Sequence, residues 1–305
     1  MELQWPLMFF TLFICLGTGT FGVAGLLAGL NKAKEIQIPA VVVSLIAIVL
    51  GGLASFLHLE HWDRAFNGFG HLTSGITQEL IGIVVFAVVA IIYLVLARRG
   101  AVPAWAGWLA LIVSVVLVII MSASYGMSAR PVWDTPLLWL YYLSNAALSG
   151  ALVVLAISAL AKPDAESAKG SQGSSAIFTL SAKLALGAAV LTLIALLAYA
   201  VFIPSLSPSF TSVGNYFDPT QPTKVMDDPQ GMLSGFLTGD QALLFWVGAL
   251  VLGALVPGAA AFFVTRQQGT TAASTAGVAA LCALAGALCF RVVLYALGFS
   301  VFVFY

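Results

Sequence analysis

Residues 76–97 read ITQELIGIVVFAVVAIIYLVLA, and from Leu80 to Ala97 the stretch holds no charged side chain. The hydrocarbon core of a bilayer is about 30 Å thick, and a helix needs about 20 predominantly apolar residues to cross it. Such a helix satisfies every backbone N–H and C=O within itself, which hydrocarbon demands because it offers no hydrogen bonds of its own. The stretch therefore predicts a membrane-spanning helix with one costly group near its start, Glu79.

Runs of the same kind recur on both sides of it, near 6–30, 37–57, 104–126, 136–161, 176–203, 240–264 and 274–302. Composition agrees over the whole chain. Its 305 residues are 61% hydrophobic and 8% charged, with a mean hydropathy of +1.05, whereas a soluble domain is about 45–50% apolar and about 25% charged. The expected fold is all-α and integral to the membrane, a bundle of about eight transmembrane helices forming a single polytopic domain over 1–305. The first run has no basic n-region, carries Glu2 and continues to about Leu30 without a clear cleavage site, so it is expected to be a retained helix and not a signal peptide.

Twelve basic and twelve acidic residues cancel, which leaves no electrostatic footprint for nucleic acid. Their placement still sets an orientation, because Lys and Arg in short loops stay on the cytoplasmic side. The first, third, fifth and seventh connections hold Lys32, Lys34, Arg98, Arg99, Lys162, Lys169 and Arg266, and the others hold only Arg64, Arg130 and Lys224. Both termini are thus expected outside. The Ser-, Gly- and Ala-rich stretch of about 162–175 reads as a cytoplasmic linker, and 204–239 as a long outer loop of the kind that is usually functional.

The chemistry concentrates in few places. All three histidines, His58, His61 and His71, lie in or beside one outer connection, HLEHWDRAFNGFGH (58–71), with His58 at the end of an apolar run. His61 and His71 suit helix-end anchors. Glu79 follows within the first turns of the next helix and needs a partner or a proton. Arg291 sits between LCALAGALCF and VVLYALGFS, stays charged at any attainable pH, and must face protein, water or a ligand. Tyr295, one turn further, shares its face. A structural salt bridge between Glu79 and Arg291 is the plain alternative to a functional cluster.

Cys15, Cys282 and Cys289 lie in apolar runs without a CxxC pair or a neighbouring histidine, so no zinc or iron–sulfur site is expected and the three read as packing residues. Haem in a membrane cytochrome needs paired axial ligands on facing helices, and no other segment carries a histidine. Neither a P-loop, a dinucleotide fingerprint, an HExxH nor a nucleophile elbow occurs. A diffusible cofactor is the expectation. Quinol oxidation fits, since histidine titrates in the right range and a half-buried carboxylate can take up protons.

The start, ELQWPLMFFTLF, and above all FLHLEHWDRAFNGFGHLTSGITQELIG (56–82) resemble the membrane-anchor subunit of the dimethyl sulfoxide reductase family, related to the NrfD-like and polysulfide-reductase membrane subunits. The likeness covers an early WPLM segment, HL, RAFN, a QEL glutamate and a late helix with Arg followed by Tyr and Gly. It implies a haem-free subunit of the bacterial cytoplasmic membrane that oxidises menaquinol. It also implies two partners, a molybdopterin catalytic subunit and a four-cluster ferredoxin-like iron–sulfur subunit, which hold the metal cofactors. By the same resemblance His58 and Glu79 form the quinol site, Arg64 supports it as the RAFN arginine, and Arg291 with Tyr295 belongs to the late helix. In this scheme His58 accepts a proton, Glu79 relays it and Arg291 balances the site. The competing readings are a secondary transporter, which the absence of an internal repeat disfavours, and a purely structural anchor.

Overall fold

The computed structural model describes residues 3–31, 34–57, 70–100, 102–161, 171–210, 228–267 and 269–301, with side chains of 171–176 excepted. Helices dominate and the described residues contain no strand. They run α1 (Trp5–Gly29), α2 (Gln37–Phe56), α3 (Gly75–Arg98), α4 (Ala104–Ser124), α5 (Pro136–Leu160), α6 (Ser171–Ser205), the short α7 (Pro229–Ser234), α8 (Val256–Val264) and α9 (Gly269–Ala296). A π-helical stretch, Leu244–Leu255, leads directly into α8. Among the described residues, eight spans are long and apolar enough to cross a membrane, with Leu244–Val264 counting as one. The protein is therefore a multi-pass, all-helical membrane protein.

Local sequence explains several boundaries. Proline fits the first turn of a helix, where its missing N–H costs nothing, and Pro136 opens α5 while Thr135 Oγ1 accepts from Leu137 N at 3.3 Å. The link from α3 to α4 turns at Gly100, whose φ of 102° lies where side chains are strained. Val256 N bonds Val251 O in the wider π pattern, and Pro257, which has no N–H to give, follows at once. Two boundaries differ from those expected. Residues Ser171–Ser175, read as linker, already belong to α6, and the last helix begins at Gly269 and ends at Ala296, with 297–301 folding back so that Val301 N bonds Ala129 O at 2.8 Å. In the long connection of 204–239, Ser207–Ser209 and Pro229–Ser234 form short helical turns, and 211–227 lie outside the described residues.

The bundle has two halves. α1 packs with α2 and α4, and α3 with α4 and α2; α5 packs with α6 and α9, and α9 with α8 and its π extension. The halves meet where α1 crosses α5. There Gly19 and Gly150 bring backbone against backbone, and a Cβ on Gly19 would lie 1.8 Å from Ala146 O. Small residues at membrane-helix crossings permit this approach, because association in lipid relies on close packing instead of a hydrophobic drive. α1 is the most buried span, at 78% of its apolar window, and α3 the least, at 17%. The centre of the molecule is thus α1 and the edge nearest Glu79 is α3, a helix with most of its surface turned to lipid.

Candidate functional site: a carboxylate at the α3–α4 interface and an arginine core

Glu79 lies five residues into α3, on the strip that faces α4, and is buried. Its Oε1 pairs with Ser124 Oγ at the end of α4. That hydroxyl also lies 2.9 Å from Met121 O. One hydroxyl proton cannot serve both acceptors at once. With Glu79 ionised, Ser124 donates to the carboxylate; with Glu79 protonated, the carboxyl donates to Ser124, which then donates to the Met121 carbonyl. The pair accommodates both protonation states without moving a heavy atom.

Arg291 sits on α9 with none of its surface exposed. Its Nε donates to Thr11 Oγ1 at 2.8 Å and its Nη2 to Thr11 O at 3.1 Å and Cys15 Sγ at 3.3 Å, while Nη1 donates to Ala287 O at 3.0 Å. The guanidinium carbon stands 5.0 Å from the Tyr142 ring centroid, a cation–π distance that is worth more when water is excluded. The arginine therefore ties α9 to α1 and α5, through hydroxyl, carbonyl, sulfur and ring, and not to a carboxylate. Among the described residues no ion pair joins it to Glu79, so the salt bridge does not form.

Phenols lie between the two. Tyr125 follows Ser124, Tyr295 follows Arg291 by one turn, and the Tyr295 hydroxyl donates to the Tyr125 oxygen at 3.4 Å. Both phenols are within electrostatic reach of Glu79 and of Tyr142. Trp133 steadies them, with its ring centroid 5.1 Å from Tyr295 and 5.8 Å from Tyr125 and its Nε1 donating to Leu294 O at 2.8 Å. Arg130 caps this tryptophan at 4.7 Å and donates to Gly298 O at 2.8 Å.

Of the residues singled out in the sequence, Glu79, Arg291 and Tyr295 fall into one contiguous polar region. His58, His61 and Arg64 lie outside the described residues. His71 is exposed just before α3. Cys15 proves to be more than packing, since it accepts from Arg291 and its thiol approaches Tyr142 O at 3.9 Å. Ser124, Tyr125, Tyr142, Trp133 and Thr11 were not singled out in the sequence, where Ser124 and Tyr125 only end the fourth apolar run and the others carry no mark of their role. The described residues contain no group of three His, Cys, Asp or Glu able to hold a metal.

A bundle with eight spans among its described residues and a buried carboxylate and arginine held between helices is an integral-membrane protein. Its family can be stated. The model of the DMSO reductase anchor subunit (DmsC) family matches residues 1–297, and the chain belongs to that family. It is accordingly the membrane anchor of a DMSO reductase-type molybdoenzyme complex, with catalytic and iron–sulfur subunits as partners. No curated protein matches the chain.

Proposed function

We propose that this anchor oxidises menaquinol near the outer face of the bacterial cytoplasmic membrane and passes the electrons to the iron–sulfur subunit of its complex. The observation that carries the reading is the buried Glu79 carboxyl, held by Ser124 where α3, the least buried span, packs against α4. A quinol arrives through lipid and must lose two protons with its two electrons. His58 and Glu79 take up the two protons in turn, His58 as the acceptor and Glu79 as the relay, and the electrons leave to a cluster of the docked partner. Arg64 has a supporting role in the quinol site. Arg291 spends its hydrogen bonds on α1 and α9, so its part is electrostatic balance of the Tyr142, Tyr295 and Tyr125 path, with Tyr295 linking it to the Glu79 side.

The test uses the assembled complex. Glu79→Gln and, separately, His58→Ala are expected to abolish oxidation of a menaquinol analogue while artificial-dye activity of the partner subunits persists. Unchanged quinol turnover in both variants refutes the site.

A further inference from the structure

Beside Glu79, α3 and α4 enclose a cleft of about 300 Å³, lined by Gly82, Val85, Ile112, Val116, Leu117 and Ile120. It begins at Gln78 and Ile120, the residues next to Glu79 and one turn before Ser124, and extends two helical turns away from them, roughly 11 Å. Its outer lip faces lipid, with Val85 48%, Ile112 57% and Val116 45% exposed. Gly82 forms the floor, where an added Cβ would stand 2.9 Å from Leu117 Cδ1. Apart from Gln78 at the Glu79 end, every lining residue is apolar.

We propose that this cleft binds the isoprenoid tail of the quinol whose ring is handled at Glu79, with Gly82 setting the room available; the inference rests on the function proposed above. Polarity along the cleft selects the occupant. Glu79 lies about 6 Å below the start of α3, and the far end of the cleft about 15 Å below it, near the middle of a 30 Å hydrocarbon core. An amphiphile bound here has a polar group buried beneath the headgroup level and an apolar chain pointing to the midplane. A phospholipid does not fit that pattern, because its only polar part stays at the interface, above Glu79. A ring with two oxygens on a branched hydrocarbon tail does. Entry is lateral, since among the described residues α3 packs chiefly on α2 and α4.

Gly82→Leu fills the floor, and the clashing Leu117 Cδ1 is the free end of a side chain that can turn aside. Ile112→Trp narrows the cleft from the opposite wall, well away from Glu79. The assay is steady-state oxidation by the complex in lipid nanodiscs, comparing a menaquinol with its full tail against a naphthoquinol without one. Each variant is expected to lower kcat/KM for the tailed quinol on the order of tenfold, the scale of displacing about two buried methylenes, and to leave the tailless quinol unchanged. Equal loss with both quinols, or no loss with either as a phospholipid occupant requires, overturns the assignment. If Gly82→Leu fails to assemble, Ile112→Trp decides. Glu79→Gln separates the two proposals, because it removes turnover of both quinols if the ring site is right, whereas the tail assignment is read from their ratio within one variant.

Discussion

Gly150→Ala on α5 is expected to damage the protein far more than a methyl group ordinarily does. The added Cβ falls 2.0 Å from Gly19 C and 2.5 Å from Thr20 N, both backbone atoms of α1. No rotamer change relieves such a contact. Ordinary packing begins near 3.4 Å, so α1 and α5 must part by more than an ångström along a seam that joins the two halves of the bundle. A gap of 0.5–1 Å already forfeits about a quarter to a half of each atom pair's dispersion energy. Overpacking at sites that can adjust costs about 1–3 kcal/mol, and here the upper end applies, since both sides are backbone. The same separation stretches the Cys15 and Thr11 contacts that hold Arg291. At an unfolding entropy of about 2.1 cal/mol/K per residue, a loss of about 3 kcal/mol in a chain of this length corresponds to a fall in melting temperature of about 5 °C. The control is built into the fold. Gly187 in α6 and Gly277 in α9 have nothing within 4 Å of a new Cβ, and a helical Gly→Ala in open space gains up to about 1 kcal/mol. Thermal unfolding of the purified complex in detergent, followed by tryptophan fluorescence, is expected to show Gly150→Ala below wild type and Gly187→Ala and Gly277→Ala at or above it. Similar melting for all three refutes the argument that backbone contact, and not glycine content, holds the seam.

Two further outcomes follow from the site and from the charge pattern. Ser124→Ala removes the partner of Glu79, and a hydrogen bond to a charged group is worth about 1.5–3 kcal/mol, so quinol turnover by the complex is expected to fall at least tenfold, with Ser124→Thr restoring most of it; equal activity of the Ala and Thr variants counts against the pairing. Orientation is tested with single cysteines in a background lacking the native three: His71→Cys, exposed before α3, is expected to react with an impermeant maleimide applied to intact cells, and Arg99→Cys, exposed after α3, only after lysis. The reverse pattern inverts the topology.

The spans were legible because hydrocarbon leaves the chain little choice. An uninterrupted apolar run such as Leu80–Ala97 has a single stable conformation in lipid, and the family motif lay where Glu79 and His58 stand out chemically. Glu79 and Arg291 were visible for the same reason, as charges that lipid penalises. Their partners were not. Ser114, Ser122, Ser149 and Thr192 donate to carbonyls of their own helices at 2.7–2.9 Å, whereas Ser44 donates across to Gly17 O and Ser124 reaches Glu79. A hydroxyl in an apolar run looks alike in both cases, and only the helix crossing decides. Tyr142 and Thr11 were hidden likewise, since their partner Arg291 is 280 residues from Thr11 in sequence. The π-helical stretch was equally silent: LFWVGALVLGAL is apolar at every position, so it carries no period from which a change of pitch can be read.

Arg291 also has a meaning for how the ends of the chain are joined. It lies in the last span, and its donors go largely to the first. Arg291 stands five residues before the end of α9, and a charge within a span is costly unless protein supplies its partners. The contacts with Thr11, Cys15 and Tyr142 form only once α9 stands beside α1 and α5. The same charge that sits silent in the finished bundle thus joins spans far apart in sequence, and displacing α1 or α9 separates Thr11, Cys15 and Tyr142 from the guanidinium they surround.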